Sequence, residues 1–235
     1  MYQRYKIGLV LLFLLGMLSA QFRNIPDIVT KVGTCAGNWL KLETGTRAIG
    51  MGGAFTAVGG GVIGVPYNPA NLTFLNNQEG FFSTTQYFAG ITHNVLGYAY
   101  NMSGVDFVGV HVFFLDSGAM DVTTEEFPDG TGETFNFTGL CFRASYGRII
   151  TNRLRIGFTG KFIREKIYTT FMESFAFDIG SNFDTGLYGF KLGMSINNLG
   201  PEIKFEGEGL EFECGDATPS GTCKKITQSF RLPLT

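Results

Sequence analysis

Residues 175–184 read FAFDIGSNFD, and this stretch decides the fold class. Large apolar side chains occupy positions 175, 177, 179 and 183, whereas small or polar side chains occupy the positions between them. Successive side chains of a β-strand point to opposite faces of its sheet, so the alternation predicts a strand with one apolar and one polar face. The same period recurs, with more irregularity towards the N-terminus, in residues 93–102, 105–115, 135–150, 154–162 and 188–197.

The length of these segments and the connections between them favour a membrane-spanning sheet. Tilted strands that cross a bilayer have roughly 9 to 11 residues, whereas strands of soluble sandwiches have about 5 or 6. Outer-membrane barrels join their strands by short turns on one side and longer loops on the other. The sequence therefore predicts an all-β fold, an antiparallel transmembrane β-barrel of the outer-membrane type; a soluble exported β-sandwich is the alternative. We expect tight turns at residues 103–104, 151–153 and 185–187, and longer loops at residues 116–134 and 169–174.

The polar face of the predicted strands carries charged side chains of both signs. An Arg or Lys that faces the middle of a bilayer costs about 2 to 4 kcal/mol, so such residues should point away from lipid. The alternative is that they form the solvent face of a soluble sheet. The residues that we predict to face the barrel lumen are Arg143, Arg155, Lys161, Asp178 and Lys191.

The first twenty residues have the three parts of a secretory signal peptide. Arg4 and Lys6 give a basic start, residues 7–18 form an apolar run, and Ser19 and Ala20 supply a small-residue exit. A membrane-spanning helix would need about 20 apolar residues, more than this run contains. Export and a barrel together predict a location in a bacterial outer membrane. The predicted organisation is a signal peptide at residues 1–20, an N-terminal extension at residues 21–41 and a barrel domain at residues 42–235.

Composition and motifs argue against nucleic-acid binding and catalysis. The formal net charge is -2 and the chain has no basic cluster, whereas nucleic-acid binding needs a basic face. Its two histidines are His93 and His111, and it has no serine elbow, H-x-x-x-H or C-x-x-C motif. We assign no catalytic residue, cofactor or metal site. The acidic residues 116–133 lack the ordered spacing of a calcium loop and are interpreted as a solvated loop.

A glycine-rich segment precedes the predicted strands: residues 45–72 read GTRAIGMGGAFTAVGGGVIGVPYNPANL. Its glycines do not follow a buried strand, as a dinucleotide-binding turn requires, and no Gly-Lys-Ser/Thr triplet is present. Residues 45–58 and 67–72 resemble the N-terminal signature of the PorV/PorQ family of outer-membrane proteins, which is similar to the FadL-type barrels. Thr46, Ile49 and Asn71 replace the alanine, leucine and glycine of the family pattern, and residues 59–62 replace its acidic residues.

The resemblance implies that residues 45–72 form the first strand and a hatch folded into the barrel. Glycine suits a segment that bends in a confined space, and Pro69 cannot donate a hydrogen bond to a sheet ladder. A surface turn at residues 68–69 is the alternative. The hatch or plug residues implied by the resemblance are Gly50, Gly52, Gly53, Asn68, Pro69 and Ala70.

The resemblance also implies a non-enzymatic function in protein secretion. Named members of the family work with the type IX secretion system, binding exported cargo proteins at the outer membrane. Loops at residues 116–134 and 201–229 would carry such contacts. The alternative is a FadL-like channel for uptake of hydrophobic small molecules. The expected partners are therefore outer-membrane lipid, secreted cargo proteins or secretion-system components, and, in the alternative, a hydrophobic small molecule.

Four cysteines in an exported chain invite disulfide pairing. Cys214 and Cys223 flank a polar, turn-rich segment, and we predict a disulfide between them. Cys35 and Cys141 either pair or stay free. The last residues, 231–235, read like the opening of another strand, and the chain offers fewer strands than the resemblance implies. We expect either a fragment of a larger barrel or a small barrel that closes with eight strands.

Overall fold

The computed structural model describes residues 35–213, 222–225 and 227–235. The predicted signal peptide, residues 21–34 of the predicted extension and Cys214 lie outside the described residues. Within these ranges, no helix combines the length and hydropathy needed to cross a membrane.

An antiparallel sheet is the main element of the described chain. The strands are β1 (Gln78–Gln86), β2 (Thr92–Asn101), β3 (Asp106–Asp116), β4 (Met120–Asp121), β5 (Thr134–Phe135), β6 (Phe137–Ile149), β7 (Leu154–Ile167), β8 (Thr170–Asp184), β9 (Lys191–Leu199), β10 (Glu206–Gly207), β11 (Glu211–Glu213) and β12 (Thr222–Lys224). Each long strand pairs with the next long strand along the sequence, and β10 pairs with the start of β8 beside β9. The pairs β4–β5 and β11–β12 are separate two-stranded sheets. The predicted antiparallel β class is confirmed.

The connection between β7 and β8 differs from the prediction of a longer loop at residues 169–174. Ile167 pairs directly with Thr170, so only Tyr168 and Thr169 form the turn. Tyr168 adopts a φ of 51°, the left-handed conformation that tight hairpin turns use. Both strands continue their alternation up to this turn, and the predicted alternation of short and long connections is therefore wrong here.

The connection between β8 and β9 is longer than the predicted turn at residues 185–187. It runs from residue 185 to residue 190, so Tyr188 and Phe190 do not belong to a strand. Gly186, Tyr188 and Gly189 all have positive φ, which an extended strand excludes. The Thr185 hydroxyl holds the turn by donating to the Phe190 carbonyl at 2.7 Å. β9 consequently begins at Lys191.

The two faces of the sheet have opposite character. Side chains of β2–β9 that point to the outward face are mostly large, apolar and exposed, for example Phe175 at 64% and Met194 at 67%. β1 is the exception, since its outward positions are Gln78, Gly80, Phe82, Thr84 and Gln86. The inward face mixes apolar side chains with polar and charged ones that are nevertheless buried: His93, His111, Arg143, Ser145, Thr159, Lys161, Glu165, Ser174, Asp178, Asn182 and Asn198.

Residues 35–75, here called the inner segment, cover the inward face. The segment contains the 3₁₀ helices Asn38–Lys41, Gly61–Gly64 and Pro69–Phe74 and the short α-helix Thr46–Gly50. It contains no strand, so the first strand implied for residues 45–72 is wrong. Glycines with positive φ explain the difference, because Gly59, Gly60 and Gly61 in succession are incompatible with an extended strand.

The inner segment and the strands share two apolar clusters. One contains Trp39 and Leu40 with β-strand residues such as Phe113 and Ile163, and the other contains Val62 and Leu72 with Ala99 and Phe107. Trp39 lies before the predicted domain boundary at residue 42. The part of the chain that packs against the sheet therefore includes residues that the sequence assigned to an extension.

Candidate functional site

Three inward glycines in adjacent strands make room for the inner segment. Gly147 pairs with Gly157, and Gly157 pairs with Gly180, so the three form a row across β6, β7 and β8. A Cβ atom on Gly157 would lie less than 3.0 Å from the backbone of Pro69 and Ala70. A Cβ atom on Gly180 would meet the Asn68 amide in the same way. The row is thus a trough in which the 3₁₀ helix Pro69–Phe74 lies directly on the sheet.

Asn68 joins this helix to β8 and to the preceding chain. Its side chain is fully buried, with 0% exposure. The Nδ2 group donates to the carbonyls of Thr56 at 2.9 Å and Ser181 at 3.0 Å, and Oδ1 accepts from the Ala70 N–H at 2.9 Å. The amide therefore caps the helix start and satisfies two backbone carbonyls at once. Pro69 and Ala70 are also buried, so the surface-turn alternative is wrong.

Asn71 and Asn182 form a second polar connection between the inner segment and β8. Asn71 donates to the Gly64 carbonyl at 3.0 Å and to the Phe55 carbonyl at 3.3 Å. Asn182 donates to the Asn71 Oδ1 at 2.7 Å. Sequence reasoning missed both residues. The alternation in residues 175–184 already placed position 182 on the face of Asp178, and that signal could have found Asn182.

Tyr67 connects two parts of the inner segment by hydrogen bonds to Thr44. The Thr44 N–H donates to the Tyr67 hydroxyl at 2.9 Å, and this hydroxyl donates to the Thr44 carbonyl at 3.0 Å. Burial, with a smaller contribution from the nearby Glu43 carboxylate, raises the pKa of the Tyr67 phenol. The neutral phenol is therefore the form that the fold stabilises.

A buried ion pair lies on the inward face beside this segment. Lys161 Nζ is 2.7 Å from Asp178 Oδ2, and both side chains are 1% exposed. Lys161 also donates to Asn198 Oδ1 at 2.7 Å, and the Asn198 N–H donates to Asp178 Oδ1 at 2.7 Å. These bonds link β7, β8 and the end of β9. These hydrogen bonds offset part of the free-energy cost of burying the two charges.

Arg143 lies on the same face but has no such partners. Its guanidinium carbon is 3.9 Å from the centre of the Phe113 ring. Nε and Nη1 are buried, and neither has a hydrogen-bond partner among the described residues. The side chain faces a cavity of about 600 Å3 between the inner segment and the strands, to which Lys161 and Asn198 also contribute. Arg143 is thus a buried cation at the wall of a cavity that has both polar and apolar lining residues.

Arg155 and Lys191, which were also predicted to face the lumen, both lie beside Phe74. The Arg155 Nη1 donates to the Thr73 carbonyl at 2.6 Å, and its guanidinium lies 4.1 Å from the centre of the Phe74 ring. Lys191 Nζ is 5.6 Å from the same ring, although Lys191 is exposed. The inward face therefore carries two groups of charges, one around the cavity and one around Phe74.

The three glycines predicted as hatch residues have different surroundings. Gly50 and Gly52 are exposed, and a Cβ atom on either would meet nothing within 4 Å. The expectation of close packing there is wrong, because the helix Thr46–Gly50 leaves this corner open. Gly52 and Gly53 have positive φ, which gives each a conformational reason to be glycine, and a Cβ atom on Gly53 would meet Glu43. At Gly50 the φ is not positive and a Cβ atom would have free space, so neither the backbone nor the packing requires glycine there.

The described cysteines and histidines have different partners. Cys223 is disulfide-bonded, and its predicted partner Cys214 lies outside the described residues. Cys35 and Cys141 are free. His111 Nε2 contacts the Val62 carbonyl at 2.9 Å, and both histidines pack near Phe113. In the described ranges, no group of three or more His, Cys, Asp or Glu side chains is arranged to hold a metal ion.

No model of a protein family matches the chain, and no curated protein matches it significantly.

Proposed function

We propose that the protein is an integral, non-enzymatic β-barrel of a bacterial outer membrane, of the PorV/PorQ type, which takes part in exporting proteins to the cell surface. The observation that carries the proposal is the reversed polarity of the sheet. Its outward face is apolar and exposed, while its inward face buries charged and amide side chains.

The reversed polarity is difficult to reconcile with water as the surrounding solvent. An antiparallel sheet in water turns its apolar face towards the core and its polar face towards solvent. Here Phe177, Ile179 and Ile196 are about half exposed, at 46%, 52% and 54%. Soluble monomers rarely expose a contiguous apolar patch larger than a few hundred Å2. Hydrocarbon is the environment in which this outward face is favourable.

Residence in a bilayer also requires that the backbone groups at the sheet edges are satisfied. β1 and β9 stand at the two ends of the order of long strands. Open sheet edges do not occur in the hydrocarbon region, since each unsatisfied backbone group costs several kcal/mol there. The proposal therefore includes closure of the sheet into a barrel, with the outer edges of β1 and β9 covered.

Two features support protein export over uptake of hydrophobic solutes. The lining of the cavity behind the inner segment includes Arg143, Lys161 and the two amides of Asn197 and Asn198, which favours ligands with polar groups. The connection between β3 and β6 is a large exposed loop, residues 117–136, which includes the β4–β5 hairpin. This loop has no Lys or Arg, and its exposed acidic residues offer a surface for a basic protein segment: Asp121, Glu125, Glu126, Asp129 and Glu133.

Fractionation of the native membrane tests the barrel. We expect extraction by detergent but not by carbonate, and an SDS gel mobility that changes on heating. Release by carbonate would overturn the proposal.

Neutralising the five acidic residues of the loop to Asn or Gln then tests export. We expect exported surface proteins to be lost from the cell surface, while the amount and heat-dependent mobility of the barrel stay unchanged. Unchanged surface proteins, together with loss of hydrophobic-solute uptake when the gene is deleted, would favour the channel instead.

A further inference from the structure

We propose that the cavity beside Arg143 is a binding site for the oxyanion of a small polar solute, a carboxylate or a phosphate. The inference goes beyond the proposed function. It rests on the contacts of the inward face and does not depend on whether the outward face meets lipid.

Arg143 carries a buried positive charge. The residue is 2% exposed, so its positive charge has lost nearly all contact with bulk solvent. A buried charge is tolerated when it is paired and hydrogen-bonded. Among the described residues, the Arg143 guanidinium contacts the ring of Phe113, and a ring face supplies no hydrogen-bond acceptor comparable to an oxygen. An anion that accepts from the guanidinium would satisfy it.

The buried carboxylates of the described residues have partners other than Arg143. Asp178 contacts Lys161 and accepts from the Asn198 N–H. Glu165 accepts from the Gly37 N–H at 3.0 Å and from the Trp39 indole at 3.1 Å. In the part of the chain that the structure describes, no ion pair joins a carboxylate to Arg143.

The cavity has the size and the lining residues to hold a small oxyanion. Its volume of about 600 Å3 accommodates a small organic acid or a phosphate ester. Its wall contains three basic side chains, Lys41, Arg143 and Lys161, and one carboxylate, Glu43. Tyr67 and Asn198 add polar groups. Asn197 Oδ1 also belongs to this wall and is a buried acceptor without a donor among the described residues. The ligand class is therefore an oxyanion that also carries a hydroxyl or other donor.

Calorimetric titration of the purified full-length protein in detergent tests the site. Inorganic phosphate and glycolate are titrated separately at constant ionic strength, with potassium chloride as the ionic control. We expect saturable binding of at least one of the two, and the one that binds identifies a phosphate or a carboxylate site. Chloride should give no comparable heat. Absence of saturable binding for both, or an equal response to chloride, would overturn the proposal.

Two matched substitutions on β6 locate the site. Arg143→Met should weaken binding by about tenfold or more, whereas Arg148→Met should change it by less than about twofold, because Arg148 is exposed, with 53% of its side chain accessible. Equal affinity in the two variants would refute the assignment. Arg143→Lys keeps the charge but loses the planar fork, so it should bind more weakly than the wild type. If Arg143→Met does not fold, this variant decides the question: undiminished affinity would also refute the assignment.

Discussion

Replacing Gly157 with alanine should separate the inner segment from the sheet. The new methyl group would lie less than 3.0 Å from the carbonyl carbon and oxygen of Pro69 and from the Ala70 nitrogen. All three are backbone atoms, so no side-chain rotation can relieve the contact. The 3₁₀ helix Pro69–Phe74 must therefore move away from β7, or β7 must bend.

The expected magnitude follows from that geometry. Inserting a methyl group into a packed interior costs typically about 1–3 kcal/mol, and a rigid backbone neighbour places this site at the upper end. Moving the helix also weakens the bond from Asn68 to the Ser181 carbonyl, which is 3.0 Å long. A buried carbonyl that loses its partner adds about 1–3 kcal/mol. We expect a total destabilisation of about 3 kcal/mol or more.

Gly160→Ala is the matched control on the same strand. Gly160 points to the outward face, and a Cβ atom there would meet nothing within 4 Å. The φ of Gly160 is not positive, so alanine fits the backbone conformation there. Alanine at such a site restricts the unfolded chain and stabilises a protein by about 0.4–1 kcal/mol. The two variants make the same chemical change and should have opposite effects on stability.

Equilibrium unfolding by urea in detergent micelles measures both variants. Trp39, the only tryptophan of the sequence, reports the unfolding because it packs against Gly139 between the inner segment and β6. We expect the Gly157→Ala transition at a much lower urea concentration than the Gly160→Ala transition, with similar slopes. Equal midpoints would refute the close contact between the helix and the trough.

Three further predictions concern the outward face, the ion pair and Tyr67. Ile179→Arg should destabilise the protein in vesicles by about 2–4 kcal/mol, because it places a charge against lipid, whereas an exposed site in water would change by less than about 0.5 kcal/mol; urea unfolding measures this. Lys161→Met should cost about 3–5 kcal/mol by leaving the Asp178 carboxylate buried and unpaired, and adding Asp178→Leu should recover most of the loss in a double-mutant cycle. The pKa of the Tyr67 phenol is raised above the ordinary 10.0 in the folded chain. Above pH 10 the folded chain therefore keeps a proton that the unfolded chain releases, so the free energy of unfolding falls as the pH rises. Tyr67→Phe should make this decline less steep.

Each of these predictions has a clear contrary result. A neutral Ile179→Arg variant would indicate that the outward face meets water. Additive effects of the Lys161 and Asp178 substitutions would show that the pair is not coupled. An unchanged slope above pH 10 in Tyr67→Phe would assign that pH dependence to other groups.

The sequence predicted the strands because their alternation is a local property. Outward and inward positions differ in side-chain type at every second residue, so Phe177 and Asp178 were placed on opposite faces without knowledge of the tertiary structure. The same reasoning grouped Arg143, Lys161 and Asp178 on one face. Their proximity depends on the register between β6, β7 and β8, which the sequence pattern does not specify.

The site features that escaped sequence analysis depend on contacts between distant residues. The bond from Asn68 to Ser181 spans 113 positions, and the bond from Trp39 to Glu165 spans 126. The alternation in residues 154–162 places Gly157 and Gly160 on opposite faces, but it does not show that the helix Pro69–Phe74 lies against Gly157 and Gly180. The lengths of the β7–β8 and β8–β9 connections were predicted wrongly for a local reason. Tyr168 and Tyr188 adopt positive φ there, although turns with positive φ usually contain glycine or asparagine.

Quenching of tryptophan fluorescence by brominated lipids tests the central claim, that the outward face of the sheet meets hydrocarbon. The native Trp39 is 8% exposed and lies on the inward side, so it should be quenched only weakly. In a Trp39→Phe background, Phe158→Trp places the only indole on the outward face, where Phe158 is 44% exposed. We expect strong quenching of this variant in vesicles with brominated acyl chains, and little quenching by an aqueous quencher. Weak quenching by the lipid with strong aqueous quenching would place the outward face in water and contradict the account.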